Sequence, residues 1–213
     1  MRLSSAIFGS FAALIGILAG VPAAPGAQPA LQPDAQITEA FTEVSLPRPS
    51  PEQIIFCHGY GCKFRTPIAL SAAEHKRLTA IMAPGKTSPE AERVAAAAAV
   101  AWFDRLAGPI AGTSNHMARA GMHHAGERGQ LDCIDSSRNT MSLLLVLDDL
   151  KLLRHHRVDA PVARGYLLDG KAPHVTAVLA ERRGARQWAI DSWTRAGGQP
   201  PEVVPLERWM TME

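Results

Sequence analysis

Three side chains have the types and the order that acyl-transfer chemistry needs: Cys133, His174 and Asp191. A thiolate attacks carbonyl carbon, an imidazole takes the thiol proton and returns it to a leaving group, and a carboxylate holds the imidazole's tautomer and orientation. Each residue alone is a weak signal, and a lone cysteine is commonly buried and inert. Ordered on a helix start, a strand and the next strand, the three form a nucleophile–base–orienter set. Around them, the side-chain amides of Gln130 and Asn115 are candidates to hold an oxyanion together with the backbone N–H of Cys133. A competing chemistry uses His116, His123 and His124 with Cys133 as zinc ligands.

The element that must position the thiol runs from Gln130 to Arg154, Q-L-D-C-I-D-S-S-R-N-T-M-S-L-L-L-V-L-D-D-L-K-L-L-R. Met141, Leu144, Leu145, Leu147 and Leu152, with Leu143, Val146, Leu150 and Leu153 between them, predict a long buried helix. Asp132 suits the N-cap and Asp135 the third position of a capping box. Cys133 then opens the helix, where unsatisfied N–H groups favour thiolate. His155 and His156 read as the solvated, basic end of this helix. The β-branched run from His174 predicts a strand, Q-W-A-I-D ending at Asp191 a second, and R-R-G-A-R the turn between them.

Upstream, Gln53 to Leu70 predicts two short strands about a G-Y-G turn. Cys57 and Cys62 face each other across it and are expected to form a disulfide; a metal site at Cys57-His58-Cys62 is the alternative. Pairing them leaves Cys133 as the odd thiol of the chain's three cysteines. Ser71-Ala72-Ala73-Glu74 is a capping box for a helix over 72–82, and Ser88-Pro89-Glu90 starts another. The polar, histidine-rich segment 111–130 feeds directly into Asp132-Cys133 and is expected to pass over the site. Pro161 to Asp169 predicts a further strand before an Asp169-Gly170 turn, and the V-V-P-L-E-R-W-M end is expected to lie along the domain as an edge.

Asp132-Cys133-Ile134-Asp135 opening a helix, His174 leading a strand, and Asp191 after W-A-I resemble the transglutaminase-like branch of the papain-type cysteine enzymes. The subgroup most similar is the bacterial transglutaminase-like cysteine peptidases, and the resemblance covers roughly residues 88–193. It implies Cys133 as nucleophile, His174 as general base and then acid, and Asp191 as orienting carboxylate. Some members bind calcium through an acidic residue directly after the cysteine; Ile134 stands there in this sequence, so no cofactor is expected, with calcium as the alternative. The expected fold is α+β, helices packed on an antiparallel sheet, a transglutaminase-like core with the nucleophile at the N-terminus of the central helix.

Met1 to Gly20 combines a short basic start with an apolar run short for a membrane span, the pattern of a secretory signal, with cleavage expected after Ala23 and an uncleaved N-terminal anchor as the alternative. The domain reading is therefore a signal peptide at 1–23, a Pro/Ala-rich extended linker at 24–51, and a catalytic domain at 52–213. Periplasmic or secreted localisation follows, without stable membrane insertion once the signal is removed. The 22 Lys and Arg against 20 Asp and Glu imply neither nucleic acid nor an anionic surface as partner. The expected function is an exported cysteine hydrolase acting on amide bonds of a protein or peptide substrate, as peptidase or transamidase. The alternatives are a metal-binding exported protein using His116, His123, His124 and Cys133, and a catalytically inactive interaction module of the same fold.

Overall fold

The computed structural model describes residues 33–165 and 173–212. The expected signal peptide and the Asp169-Gly170 turn lie outside the described residues. Part of the expected linker is folded: Pro33–Glu43 forms helix α1, with Ile37, Ala40 and Phe41 buried. Its i, i+3, i+4 apolar spacing gives it a core-facing stripe that the proline- and alanine-rich composition obscures.

Strands β1 (Gln53–His58) and β2 (Phe64–Ala69) pair as an antiparallel hairpin. Helix α2 (Ala72–Met82) starts at the predicted Ser71–Glu74 capping box. A short 3-10 turn over Ala83–Thr87 leads to α3 (Pro89–Ala111), which begins with Ser88 as cap and ends at Gly112 in the left-handed conformation. Helix α4 (Cys133–Asp149) is followed by β3 (His156–Arg164), β4 (His174–Glu181), β5 (Gln187–Asp191) and β6 (Glu202–Pro205). The last four strands make one antiparallel sheet in chain order, and the short helix α5 (Leu206–Thr211) follows. The α+β class is therefore as expected, with β6 and α5 added at the edge of the sheet.

Helix α4 packs against β3, β4 and β5 and also against β1 and α3, so it joins the sheet to the hairpin. That placement explains why every residue from Asp135 to Leu147 is buried, polar ones included. Burying polar groups requires partners; the Ser137 hydroxyl and Arg138 Nη1 have none, but others are paired. The Asn139 side chain acts as a strand neighbour to Cys57, accepting from its N–H at 2.7 Å and donating to its carbonyl at 2.8 Å. Thr140 and Ser192 hydroxyls share a hydrogen bond at 2.8 Å.

The chain leaves α4 earlier than the leucine pattern implies, and His155 and His156 do not form a solvated helix end. His156 opens β3 fully buried. Glu92 of α3 decides this: its carboxylate accepts from the backbone N–H groups of Arg154 at 2.6 Å, His155 at 3.0 Å and His156 at 2.8 Å, and from the His156 ring at 2.8 Å. Burial alone would raise the Glu92 pKa; the ring and the three N–H groups outweigh it and hold the carboxyl below its usual value. Removing these acceptors leaves several buried donors unpaired. Glu92→Ala is expected to cost on the order of 3 kcal/mol in urea unfolding, against less than about 0.5 kcal/mol for exposed Lys76→Ala.

Candidate active site

The thiol is positioned by a cap that belongs to two elements at once. Asp132 is extended, and its Oδ1 accepts from Asp135 N–H at 2.8 Å, while Asp135 Oδ2 lies 3.4 Å from Asp132 N–H, closing the predicted box. The remaining acceptor capacity reaches the hairpin turn. Tyr60 and Cys62 donate their N–H groups to Asp135 at 2.7 and 2.6 Å, and Gly61 donates to Asp132 at 2.9 Å. Gly59, Tyr60, Gly61 and Cys62 all have positive φ, between 58° and 83°. Such a run turns successive N–H groups into an anion-binding concavity, here filled by the two carboxylates that flank Cys133. At Gly59 a Cβ would sit 2.4 Å from the Phe64 ring, so only glycine fits there. The Cys57–Cys62 disulfide closes this turn, and such a bond belongs to an oxidising compartment.

Two carboxylates sharing one set of donors cannot both ionise freely. Burial, then the neighbouring Asp132 charge, push the Asp135 pKa up to about 7, against the pull of the Cys62, Tyr60 and Asp132 N–H groups.

The sheet supplies the other two members of the set. Ala177 pairs with Ile190, so continuing the register sets Thr176 against Asp191 and leaves His174 as its diagonal neighbour on the same face. His174 Nε2 lies 2.6 Å from Asp191 Oδ2. Because the carboxylate accepts, Nε2 carries the proton and Nδ1 presents a lone pair. That Nδ1 is buried and has no hydrogen-bond partner. Asp191 Oδ2 also accepts from the Trp209 indole N–H at 2.9 Å. The imidazole is flanked by Trp193 and Trp209, with ring centroids at 4.8 and 5.3 Å. Arg164 in turn holds α5, stacking on Trp209 and donating to the carbonyls of Trp209 and Met212.

Cys133 is the free cysteine among the described residues. The N–H of Val175, next to His174 in β4, is directed at its sulfur and favours thiolate, as does its own N–H at the helix start. Burial nevertheless pushes the thiol up, and the charges of Asp132 and Asp191 add to this. The helix terminus invoked by the sequence pattern is therefore present, but desolvation outweighs it.

The other candidates go elsewhere. Gln130 and Asn115 line a hollow with Gly108, Gly112, Ser114 and Gly129, and the Gln130 side-chain oxygen accepts from Met117 N–H at 3.0 Å. His116 pairs with Asp104 at 3.0 Å, and His124 with Glu127 at 3.0 Å, beside the His123 ring. Among the described residues no three His, Cys, Asp or Glu side chains gather as metal ligands, so the structure does not bring His116, His123, His124 and Cys133 together. His58 is satisfied by the Arg128 carbonyl and the Thr66 hydroxyl, and its cysteine neighbours are in the disulfide.

Sequence reasoning missed Trp209, Val175 and the turn N–H groups. Only the glycines of G-Y-G hinted at the last, since glycine is the default for positive φ.

A raised carboxyl pKa stabilises the fold below the unfolded value and loses that contribution as pH climbs through the folded one. Asp135 should therefore make the protein progressively less stable from about pH 4 to about pH 7. Asp135→Asn, which cannot ionise, is expected to flatten that fall in melting temperature, followed by calorimetry at constant ionic strength; an unchanged slope would assign the titration to another group.

Comparisons with protein-family models, curated proteins and solved structures find nothing that matches the chain.

Proposed function

We propose that the protein is an exported cysteine hydrolase of amide bonds, built as the transglutaminase-like cysteine peptidases are. The observation that carries this reading is the polarity of His174: Nε2 committed to Asp191 at 2.6 Å, and a buried Nδ1 left without a partner on the strand whose next N–H is directed at Cys133. An imidazole held in that tautomer is a base waiting for a proton.

In the first step Nδ1 takes the thiol proton as sulfur adds to the carbonyl carbon of the substrate amide, giving a tetrahedral oxyanion near the Cys133 N–H. Collapse breaks the C–N bond, and the imidazolium hands its proton to the departing amine. The thioester is then cut by water, deprotonated by Nδ1, with the acid released and the thiol restored. Asp191 steadies the imidazolium throughout, and Trp209 keeps Asp191 aimed. A cleft bounded by Ala40 and Glu43 of α1, Arg138 of α4, Ala163 of β3 and Val175 of β4 lies beside the strand that carries His174 and offers an extended chain a seat. Water as acceptor favours hydrolysis; a second amine in its place would give transamidation through the same residues. The disulfide supports an oxidising destination, periplasmic or secreted.

One observation favours a second reading, an inactive interaction module on the same fold: burial raises the thiol. Activity on a real substrate separates the two. With fluorescein-labelled denatured casein as substrate, wild-type protein should release soluble fragments and Cys133→Ala should fall to background. Asp191→Asn should retain more activity than Asp191→Ala, because asparagine still accepts from Nε2–H. Trp209→Phe should lose about fivefold to tenfold in kcat/KM through its one hydrogen bond to Asp191. Each variant must melt within a few degrees of wild type, since about 1 kcal/mol moves Tm by about 2–4 °C at this size. Cleavage by a folded Cys133→Ala protein at the wild-type rate would end the cysteine-hydrolase reading.

A further inference from the structure

Both halves of the Cys57–Cys62 disulfide grip the helix that carries the nucleophile. The Cys57 N–H and carbonyl are bonded to the Asn139 side chain at 2.7 and 2.8 Å, and the Cys62 N–H donates to Asp135 at 2.6 Å. Asp135 and Asn139 are spaced i, i+4 on α4 and so share one face of it. The bond therefore joins two backbone clamps set one helical turn apart, next to the end of the helix that Cys133 opens.

Between the clamps, the turn also holds the chain that leads into the nucleophile. The Gly59 N–H donates to the Gln130 carbonyl at 2.8 Å, the Gly59 carbonyl accepts from Gly126 at 3.2 Å, and the Tyr60 hydroxyl donates to the Gly121 carbonyl at 2.5 Å. Local preference does not keep the turn in this shape. Tyr60 and Cys62 lie at φ 74° and 58°, a region that residues with a Cβ avoid, and a two-stranded hairpin has little stability of its own. Opening the bond returns conformational freedom to the loop that must stay ordered for its N–H groups to meet Asp132 and Asp135. The bond is itself out of reach: Cys57 and Cys62 are 0% and 1% exposed. An oxidant must act before the turn docks on α4, and a reductant once it has lifted.

We propose that the Cys57–Cys62 bond is a redox control of the site: closing it lets the turn dock on the head of α4 and seats Cys133, and opening it releases the turn and leaves the thiol loose. Closure is thiol–disulfide exchange with a disulfide acceptor. One thiolate of the pair attacks the acceptor's S–S bond, forming a mixed disulfide and releasing one acceptor thiol; the other thiolate then displaces the second, so two electrons and two protons leave with the acceptor as a dithiol. A dithiol reductant runs the same exchange backwards. The inference rests on the proposed function only in naming what is controlled, since the seating of Cys133 is measurable without a substrate.

The test follows Cys133 in the full chain in three forms: oxidised, reduced with dithiothreitol that is then removed, and with the bond deleted as Cys57→Ala/Cys62→Ala. Iodoacetamide labelling is read by mass at the Cys133 peptide, and amide hydrogen exchange at Tyr60, Gly61, position 62 and Asp135 is compared with that at Ala177, Val178 and Leu179 of β4. Seated, the thiol is half-buried and hard to ionise. Released, it should label about tenfold faster in both bond-free proteins. The turn and cap amides should also exchange about tenfold faster, while the β4 amides stay within about twofold. Oxidised glutathione should return the reduced protein, but not the variant, to slow labelling. Unchanged labelling in either bond-free protein would mean that the carboxylates hold the turn unaided, and overturns the proposal. Loss of protection in β4 as well, a variant that fails to fold included, makes the bond a support of the whole fold and overturns it equally. Absence of casein cleavage by the oxidised protein, with labelling and exchange as expected, ends the hydrolase reading and leaves the control of the thiol standing.

Discussion

The docking of the hairpin turn onto the start of α4 is the constraint on which the rest of the site depends. Three consecutive N–H groups, from Tyr60, Gly61 and Cys62, meet the carboxylates of Asp132 and Asp135, and the Asn139 side chain continues the join along β1. An isolated two-stranded hairpin is marginal, and the four residues at positive φ include two, Tyr60 and Cys62, for which that conformation is strained. The disulfide and the carboxylates hold what the local chain would not. In return, the two carboxylates that cap α4 are held in place and the helix start is fixed, so the cysteine at its head lies against the Val175 N–H of β4. The arrangement costs one carboxyl its ordinary ionisation, since Asp135 titrates near about 7 under burial and the Asp132 charge.

On the sheet side the same economy of partners recurs. Asp191 serves His174 and Trp209 through one oxygen, and two indoles wall the imidazole. Excluding water strengthens the His–Asp interaction and keeps Nδ1 free of competing donors. It also works against the thiolate, because a sulfur removed from water is harder to ionise. The site therefore sets a well-oriented imidazole beside a thiol that burial makes hard to ionise.

Several buried charges elsewhere are structural. Glu92 gathers the chain between α4 and β3, and Glu181 receives Arg93 and Arg186, with Arg93 stacked on Trp188. His116 and Asp104 tie α3 to the segment before α4, and Asp104 also accepts from Gly198 N–H. As residue types, these resemble candidate ligands or catalytic groups in the sequence. What separates them from His174 is that their polar atoms are occupied by backbone and neighbouring side chains.

Local physics wrote much of this protein directly into its sequence. The capping boxes at Ser71 and Asp132, the Ser88-Pro89 helix start, the β-branched strands ending in Asp191 and the short cysteine loop each rest on interactions within a few residues, and the structure has them where the pattern puts them. Cys133 at a helix start, with His174 and Asp191 on adjoining strands, was legible for the same reason. Tertiary structure decided what depends on residues far apart in the chain. It folded α1 from a stretch whose composition reads as linker, buried His156 on Glu92, sent Gln130 and Asn115 to a separate hollow, and brought Trp209 onto Asp191. It also set the electrostatics. A helix start predicts a lowered thiol pKa only while water remains near, and burial, which is a property of the whole fold, reversed that sign at Cys133.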